Sequence, residues 1–269
     1  MRRRDAGAEL AARLDAALAQ LDAERTLRAQ AERACVTQDE FLSLVSHELR
    51  GPLGAILGWA HILRRRVSPE DMDKGLDVIE QSVQAQVRLV EDLLTLGRIT
   101  SGRIQLEMQD VEPRRFIDAG VEGVRAAAQA KRTAVRKVLD LTVGPVRGDA
   151  GRLQQVVGIL LGNAVKFTPE GGAIEVALRQ AGTWAEIAVT DTGVGIAPAL
   201  LPYVFERYRA PDTALERRYG GLGLGLAIAR HLAEMQGGRL TAESPGEGRG
   251  ATFRLCLPLA HTGSTPDVH

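Results

Sequence analysis

The sequence predicts an α + α/β chain in which a helical hairpin, paired with a second copy into a four-helix bundle, precedes a domain of mixed helices and strands. Residues 8–66 are rich in Ala, Leu, Glu, Arg and Gln and contain no proline before Pro52, which favours one long helix. A second helical stretch follows after a short break. Beyond Ser101, glycine-rich connections separate β-like runs from further helical patterns, which is typical of an α+β domain.

Composition and charge exclude several classes of protein. The chain has 34 Lys and Arg against 34 Asp and Glu, so no net field attracts nucleic acid or an anionic membrane. Its two cysteines are too few for a disulfide framework, and it has no long uncharged apolar run that would span a membrane. The N-terminus also lacks the apolar core of a signal peptide. We therefore expect a cytoplasmic protein of about two domains.

The predicted first helix carries an apolar repeat of seven residues, interrupted by polar members. The two series are Leu14, Leu21, Arg28, Cys35 and Leu42, and Leu10, Ala17, Glu24, Ala31, Gln38 and Val45. Residues 1–36 are accordingly predicted to form a signalling coiled coil of modest strength. A solvated helix with scattered leucines is an equal alternative for this segment.

A second helix is predicted to begin after Ser68, because a capping residue is followed by a proline suited to the first turn and by two acidic residues. It runs to about Arg98, with apolar residues three or four apart. These residues are Leu76, Ile79, Val83, Val87, Val90, Leu93 and Leu94. The short break between the helices predicts an antiparallel hairpin, residues 37–103. Two helices bury such stripes poorly, so we expect a homodimer.

The remaining chain predicts an α+β domain over residues 104–260 and a polar tail over residues 261–269. Predicted strands cover residues 174–178, 184–190 and 252–257, and predicted helices cover residues 114–131, 150–166 and 224–236. The boundary with the hairpin lies near residues 104–113.

The first motif with chemical potential, residues 46–53, places His47 on a helix with Glu48 directly after it. Consecutive helical residues do not face each other, so Glu48 reaches only the near nitrogen of the imidazole, and the far nitrogen stays free to attack. Pro52 lacks an N–H and predicts a kink about a turn later. Taken alone, a histidine on a helix is more often a structural residue than a nucleophile.

Two further motifs offer groups that bind a nucleotide. Asn163 and Lys166 lie three apart on one predicted helix, where an amide oxygen suits a cation and an ammonium suits phosphate; a capped helix end is the alternative. Asp191, Gly193 and Gly195 follow a predicted strand. The glycines let the backbone approach a ligand while the acid accepts a hydrogen bond from an exocyclic amine. A plain turn is the competing interpretation.

Glycines in residues 220–228 lead into a predicted helix, which suits phosphate capture by exposed N–H groups. Their spacing does not fit a dinucleotide-binding fingerprint. A weaker motif at residues 246–251 is typical of a hairpin turn. Residues 205–208 and the polar stretch 209–219 are typical of a mobile lid.

Taken in order, these motifs resemble the H, N, G1, F and G2 boxes of bacterial sensor histidine kinases. The matching segments are residues 47–53, 163–169, 191–196, 205–208 and 221–225, so the resemblance spans about residues 37–258. It implies a dimerisation and histidine-phosphotransfer hairpin followed by an α/β sandwich of the Bergerat ATPase type. Such a chain autophosphorylates from Mg-ATP and passes the phosphoryl group to an aspartate of a response regulator.

The resemblance also implies roles for individual residues. His47 is the expected phosphoacceptor, assisted by Glu48 at its near nitrogen, and either Arg207 or Arg209 reaches the γ-phosphate. Asn163 is the expected Mg²⁺ ligand. The other residues expected to hold ATP are Lys166 at phosphate, Asp191 at the adenine amine, Phe205 at the base of the lid, and Gly193, Gly195, Gly221, Gly223 and Gly225 in the loops.

Two positions depart from the family pattern. Gly51 stands where the H box usually has Thr or Asn, so we predict weak phosphatase activity towards a phosphorylated regulator. Ile159 stands where the N box usually has Asn, one helical turn before Asn163, which predicts slower catalysis or binding without turnover. The alternative function is therefore a degenerate kinase that binds nucleotide and docks a regulator. Intact His47 and Glu48 argue against it.

The sequence has no recognisable sensor domain. Either the input arrives through the N-terminal helix from something upstream, or the chain is a fragment. The signal, the cognate regulator, and phosphorylation within or between subunits stay open.

Overall fold

Residues 43–206, apart from residues 44 and 66, and residues 223–260 are described by the structure, a computed structural model. The predictions for the coiled coil before residue 43, for the lid segment beyond residue 206 and for the tail 261–269 fall on residues outside these ranges. They stay predictions, as do the proposed domain boundaries.

The first helix, α1, covers residues 45–63 and continues through Pro52. The second, α2, covers Pro69–Thr100. The Ser68 side chain caps it by accepting a hydrogen bond from the Asp71 N–H (3.1 Å), and Pro69 occupies the first turn, as predicted.

Two contacts, at different levels along the helix axes, show that α1 and α2 form an antiparallel hairpin. Near the turn, Trp59 packs so closely on Gly75 that a Cβ built there would lie 2.7 Å from the indole ring. At the other end, the Gln86 side chain donates to the Leu49 carbonyl (3.4 Å). The pairing of early α1 with late α2 confirms the predicted hairpin.

The apolar face of α2 that the sequence predicts is largely uncovered in a single chain. Ile79 and Leu93 are half-buried. The others are between 45% and 57% exposed: Leu76, Val83, Val87, Val90 and Leu94. The hairpin partner α1 therefore covers only the edge of this face, and most of the face points away from it. This exposed stripe has the spacing of a helix-pairing seam.

The second part of the chain contains two sheets. Strand β1 (Gln109–Val111) pairs antiparallel with β3 (Val146–Gly148). The larger sheet contains β2 (Ala134–Leu139), β4 (Ala173–Ala181), β5 (Trp184–Asp191), β6 (Arg239–Glu243) and β7 (Ala251–Pro258). Its order is β2-β4-β5-β7-β6, with β2 parallel to β4 and the other pairs antiparallel.

Helices α3 (Pro113–Ala130), α4 (Ala150–Phe167) and α5 (Gly225–Glu234) pack on one face of the large sheet. Inward-facing strand residues such as Ile187 and Leu255 are fully buried together with Leu153 and Leu160 of α4. Outward-facing residues of the same strands are more exposed, which is the alternation expected when one sheet face is covered. All three predicted helices and all three predicted strands are present, and they form the α/β sandwich.

A buried side chain fixes how α4 and α5 lie together. Gln236, just after α5, accepts a hydrogen bond from the Asp149 N–H at the start of α4 (2.8 Å) and donates to the Leu232 carbonyl (2.7 Å). At the other end of α5, a Cβ on Gly225 would lie 3.2 Å from the Ile159 side chain. The middle of α4 and the first turn of α5 are thus neighbours.

The hairpin also packs against the sandwich. Leu96 and Ile99, near the end of α2, are buried in the same apolar cluster as the sandwich core, and Val45 of α1 packs against that cluster. No helix in the described part of the chain is both long enough and apolar enough to cross a bilayer. The predicted cytoplasmic location stays a prediction.

Candidate active site

The carboxylate of Asp191 lies buried where β5 ends. Its Oδ1 accepts hydrogen bonds from the N–H groups of Gly193 (2.8 Å) and Ala251 (3.3 Å). Burial raises the pKa of Asp191, and these two hydrogen bonds act in the opposite direction. Its Oδ2 has no protein partner among the described residues, so one oxygen is fixed and the other is an acceptor suited to an exocyclic amine.

The loop after Asp191 is so tightly enclosed at two positions that only glycine fits there. A Cβ on Gly193 would lie 2.6 Å from the Phe167 carbonyl at the end of α4. On Gly195, whose φ is +68°, it would lie 2.1 Å from the Gly246 carbonyl. Gly250 donates its N–H to the Gly193 carbonyl (3.1 Å). The loop is therefore held between α4 and the β6–β7 connection.

Ser244 completes this enclosure and was missed in the sequence. Its hydroxyl accepts from the Ile196 N–H (3.0 Å) and donates to the Gly250 carbonyl (2.7 Å). The motif at residues 246–251 does join two antiparallel strands, as the hairpin prediction requires. It also closes one side of the candidate site, which only long-range packing reveals.

The last turns of α4 present the two polar residues of the N motif. Asn163 and Lys166 are both half-buried, and the Lys166 ammonium lies 4.9 Å from the centre of the Phe167 ring. Burial lowers the pKa of Lys166, and the negative charge of Glu48 opposes that shift. The ammonium is thus a partly desolvated cation beside the glycine loop.

Lys131 caps the C-terminal end of α4, and the sequence did not predict this role. Its ammonium donates to the carbonyls of Val165 (2.7 Å) and Lys166 (3.0 Å), two of the acceptors that a helix leaves unpaired at its C-terminus. A cation at a helix end has no recognisable sequence signal when it comes from a distant turn.

The H motif lies on the side of the hairpin that packs against the sandwich. His47 is exposed on α1, and Glu48, the next residue, is half-buried. Val45, two residues before His47, packs against the sandwich core, and the charge of Glu48 acts on Lys166, so the H motif lies near the N motif. The structure thus brings the H motif close to the N motif, which itself adjoins the glycine loop through Phe167.

The remaining predicted residues flank α5. Gly225 begins the helix, and Gly223 has a φ of +64°, which favours glycine. Phe205 packs on the core, with its ring edge-on to Phe253. Gly221, Arg207 and Arg209 lie outside the described residues.

Two family models match the chain. Residues 37–102 match the His Kinase A (phospho-acceptor) domain, and residues 148–261 match the Histidine kinase-, DNA gyrase B-, and HSP90-like ATPase. The circadian input-output histidine kinase CikA of Synechococcus elongatus is 33% identical over 86% of this chain and 31% of its own length. The chain belongs to the sensor histidine kinase family.

Other histidine kinases match over similar ranges. Hybrid signal transduction histidine kinase D of Dictyostelium discoideum is 30% identical over 89% of this chain and 18% of its own length. Sensor histidine kinase RcsC of Escherichia coli is 33% identical over 85% of this chain and 24% of its own length. The chain thus spans less than a third of the length of these three curated relatives. The match to histidine kinases does not favour the alternative of a degenerate binding module.

Solved histidine kinase structures share the fold. Full-length ShkA in complex with AMPPNP has a TM-score of 0.59 and 28% identity, covering 82% of this chain and 46% of its own. AdeS of Acinetobacter baumannii has a TM-score of 0.60 and 20% identity, covering 80% of this chain and 98% of its own. The predicted fold class, a helical hairpin followed by an α/β sandwich, is confirmed.

Proposed function

We propose that this histidine kinase chain binds Mg-ATP in the site beside Asp191, phosphorylates His47 and passes the phosphoryl group to an aspartate of a response regulator. One observation carries the proposal: Val45, two residues before His47 on α1, packs against the core of the sandwich that holds the glycine-lined site. The helix that bears the nucleophile and this site thus adjoin in one chain. The likeness to ShkA, solved with AMPPNP, supports ATP as the ligand.

The proposed reaction is an in-line phosphoryl transfer. The lone pair on the far imidazole nitrogen, Nε2, of His47 forms a bond to the γ-phosphorus, and the bond from phosphorus to the β–γ bridging oxygen breaks. ADP leaves with that electron pair. Glu48 accepts a hydrogen bond from the near nitrogen and stabilises the positive charge that develops on the ring. The resulting N–P bond is labile, which suits onward transfer to a carboxylate.

The residues present fit Mg²⁺ delivered with the nucleotide. No group of three or more His, Cys, Asp or Glu within residues 43–206 and 223–260 forms a metal cage. Mg²⁺ commonly keeps water and substrate phosphates as ligands and takes few from the protein. Asn163 would supply one amide oxygen, and the bound cation supplies charge neutralisation at the phosphates. Ile159, one turn earlier, has no donor atom to add.

Incubation with γ-labelled ATP and Mg²⁺ tests the proposed function. Wild type is expected to acquire an acid-labile label, because phosphohistidine hydrolyses in acid, and His47→Gln is expected to fall to background. His61→Gln changes an exposed histidine on the same helix and is expected to keep the label. Wild type that binds ATP without acquiring label would contradict the proposal and favour the nucleotide-binding module.

We further propose that two copies pair through the exposed stripe on α2, where five apolar side chains are each 45% to 57% accessible in a single chain. A soluble chain rarely leaves such a stripe uncovered. Val87→Arg is expected to convert a dimer into a single chain in sedimentation at micromolar concentration, because it places a charge in the seam. Arg88→Ala, next to it, is expected to stay dimeric. A wild-type single chain would contradict the pairing.

The open space at Gly51 allows the predicted weak phosphatase activity to be tested by adding a side chain at this position. A Cβ on Gly51 meets no atom within 4 Å, so a threonine fits there. With a phosphorylated regulator, Gly51→Thr is expected to raise the dephosphorylation rate about tenfold, equivalent to one hydrogen bond gained to the attacking water.

Two controls accompany this measurement. Gly54→Thr, at a second open position one turn further along α1, is expected to leave the rate unchanged. Gly51→Ala adds no hydrogen-bonding group, so dephosphorylation several-fold faster with this variant than with wild type would contradict the explanation.

A further inference from the structure

The aromatic ring of Phe205 is held from two directions. The guanidinium of Arg230, in the second turn of α5, lies 5.5 Å from the ring centre. The ring of Phe253 in β7 meets it edge-on, with centroids 6.3 Å apart and an interplanar angle of 89°. Phe205 follows the short 3-10 turn Leu201–Tyr203 and is half-buried against the core. A cation and an aromatic edge therefore define where this ring sits.

A second interaction orients the guanidinium. Its Nε donates to Oε1 of Glu234, one turn later on α5 (2.8 Å). The Arg230 and Glu234 side chains are 50% and 48% exposed, so the ion pair itself contributes little to stability. A guanidinium is planar and weakly hydrated, which suits it to an aromatic face better than a lysine ammonium. Glu234 thus aligns the group that contacts Phe205.

The same helix connects this contact to the candidate ATP site. Gly225, the first residue of α5, lies against Ile159 of α4, on the helix that carries Asn163. The N–H groups at a helix start are the donors that bind phosphate. Arg230 therefore links the position of Phe205 to the helix start that faces the phosphates.

We propose that Arg230 is a positioning residue for ATP binding. It holds the Phe205 ring at a fixed position relative to the start of α5 and acts on nucleotide affinity through that ring. The proposal rests on ATP being the ligand of this site. It also makes a specific distinction, because an arginine that merely stabilised the fold would change the melting temperature and leave nucleotide affinity alone.

A double-mutant cycle tests this directly. Arg230→Met keeps the aliphatic stem and removes the cation; the dissociation constant for AMPPNP is expected to rise about fivefold, with the melting temperature of nucleotide-free protein unchanged. In a Phe205→Leu background the same change is expected to alter affinity less than about twofold, because the ring through which it acts is absent. Arg230→Lys, which retains a cation, is expected to restore most of the affinity.

Glu234→Gln is the matched control, since it removes the ion pair and leaves the guanidinium on the ring. It is expected to change affinity less than Arg230→Met does. An Arg230→Met effect that persists undiminished without Phe205, or that appears only in the melting temperature, would overturn the positioning role while leaving ATP binding intact. Wild type that binds no AMPPNP would overturn the proposed function and this inference together.

Discussion

Asp191→Asn is expected to lower the affinity for ATP at least about 100-fold, because an ionic hydrogen-bond acceptor is replaced by a group that donates. With Oδ1 fixed by the Gly193 and Ala251 N–H groups, the new amide nitrogen takes the place of Oδ2, where the adenine amine needs an acceptor. Calorimetric titration measures the change.

ADP and ATP distinguish this explanation from a phosphate defect. Because the proposed contact of this carboxylate is with the base, the expected loss is the same factor for both nucleotides. Asp110→Asn, which changes an exposed carboxylate paired with Arg147 on the small sheet, is the control and is expected to bind like wild type. If the Asp191→Asn variant binds ATP with an affinity within threefold of that of wild type, Asp191 does not belong to the proposed site.

Gly250→Ala is expected to reduce the free energy of unfolding by about 3 kcal/mol or more. A Cβ at this position would lie 2.0 Å from the Asp191 carbonyl oxygen. The oxygen belongs to the backbone and the Cβ is bonded directly to it, so neither atom can rotate away. The φ of +72° adds strain for any side chain. Urea denaturation measures the loss.

Gly248→Ala separates the clash from the strain. Gly248 has the same φ of +72°, and a Cβ there meets nothing within 4 Å. Its expected loss is only about 1–2 kcal/mol, the cost of a left-handed conformation for alanine. Equal losses from the two substitutions would show that the close approach to Asp191 is not what requires glycine at position 250.

The elements that the sequence predicts are those with strong local patterns. Helix α2 carries a cap and a proline at its start, and β5 and β7 are dominated by buried apolar residues. Strand β2 was missed because none of its residues is fully buried and two of them are exposed cations, so only its parallel pairing with β4 makes it a strand. Strand β6 is a half-exposed edge strand with only one buried residue, so it too lacks a local pattern.

The residues of the candidate site likewise divide into those with a local sequence pattern and those without one. The ordered set of motifs that includes Asp191, Asn163 and Lys166 resembles that of a kinase family and so implies a nucleotide, although each motif alone is weak. The contributions of Ser244 and Lys131 depend on loops brought together from distant parts of the chain. Such contacts are properties of packing, and a single sequence does not display them.

The bond from Gln236 to the Asp149 backbone has a mechanical consequence. It joins the C-terminal end of α5 to the N-terminal end of α4. Gly225 and Asn163 lie towards the opposite ends of these two helices. Because the C-terminal end of α5 is held, a displacement of its Gly225 end is a rotation about that held end. The N–H groups at the start of α5 lie farthest from this bond, so any change in the angle between the two helices displaces them most.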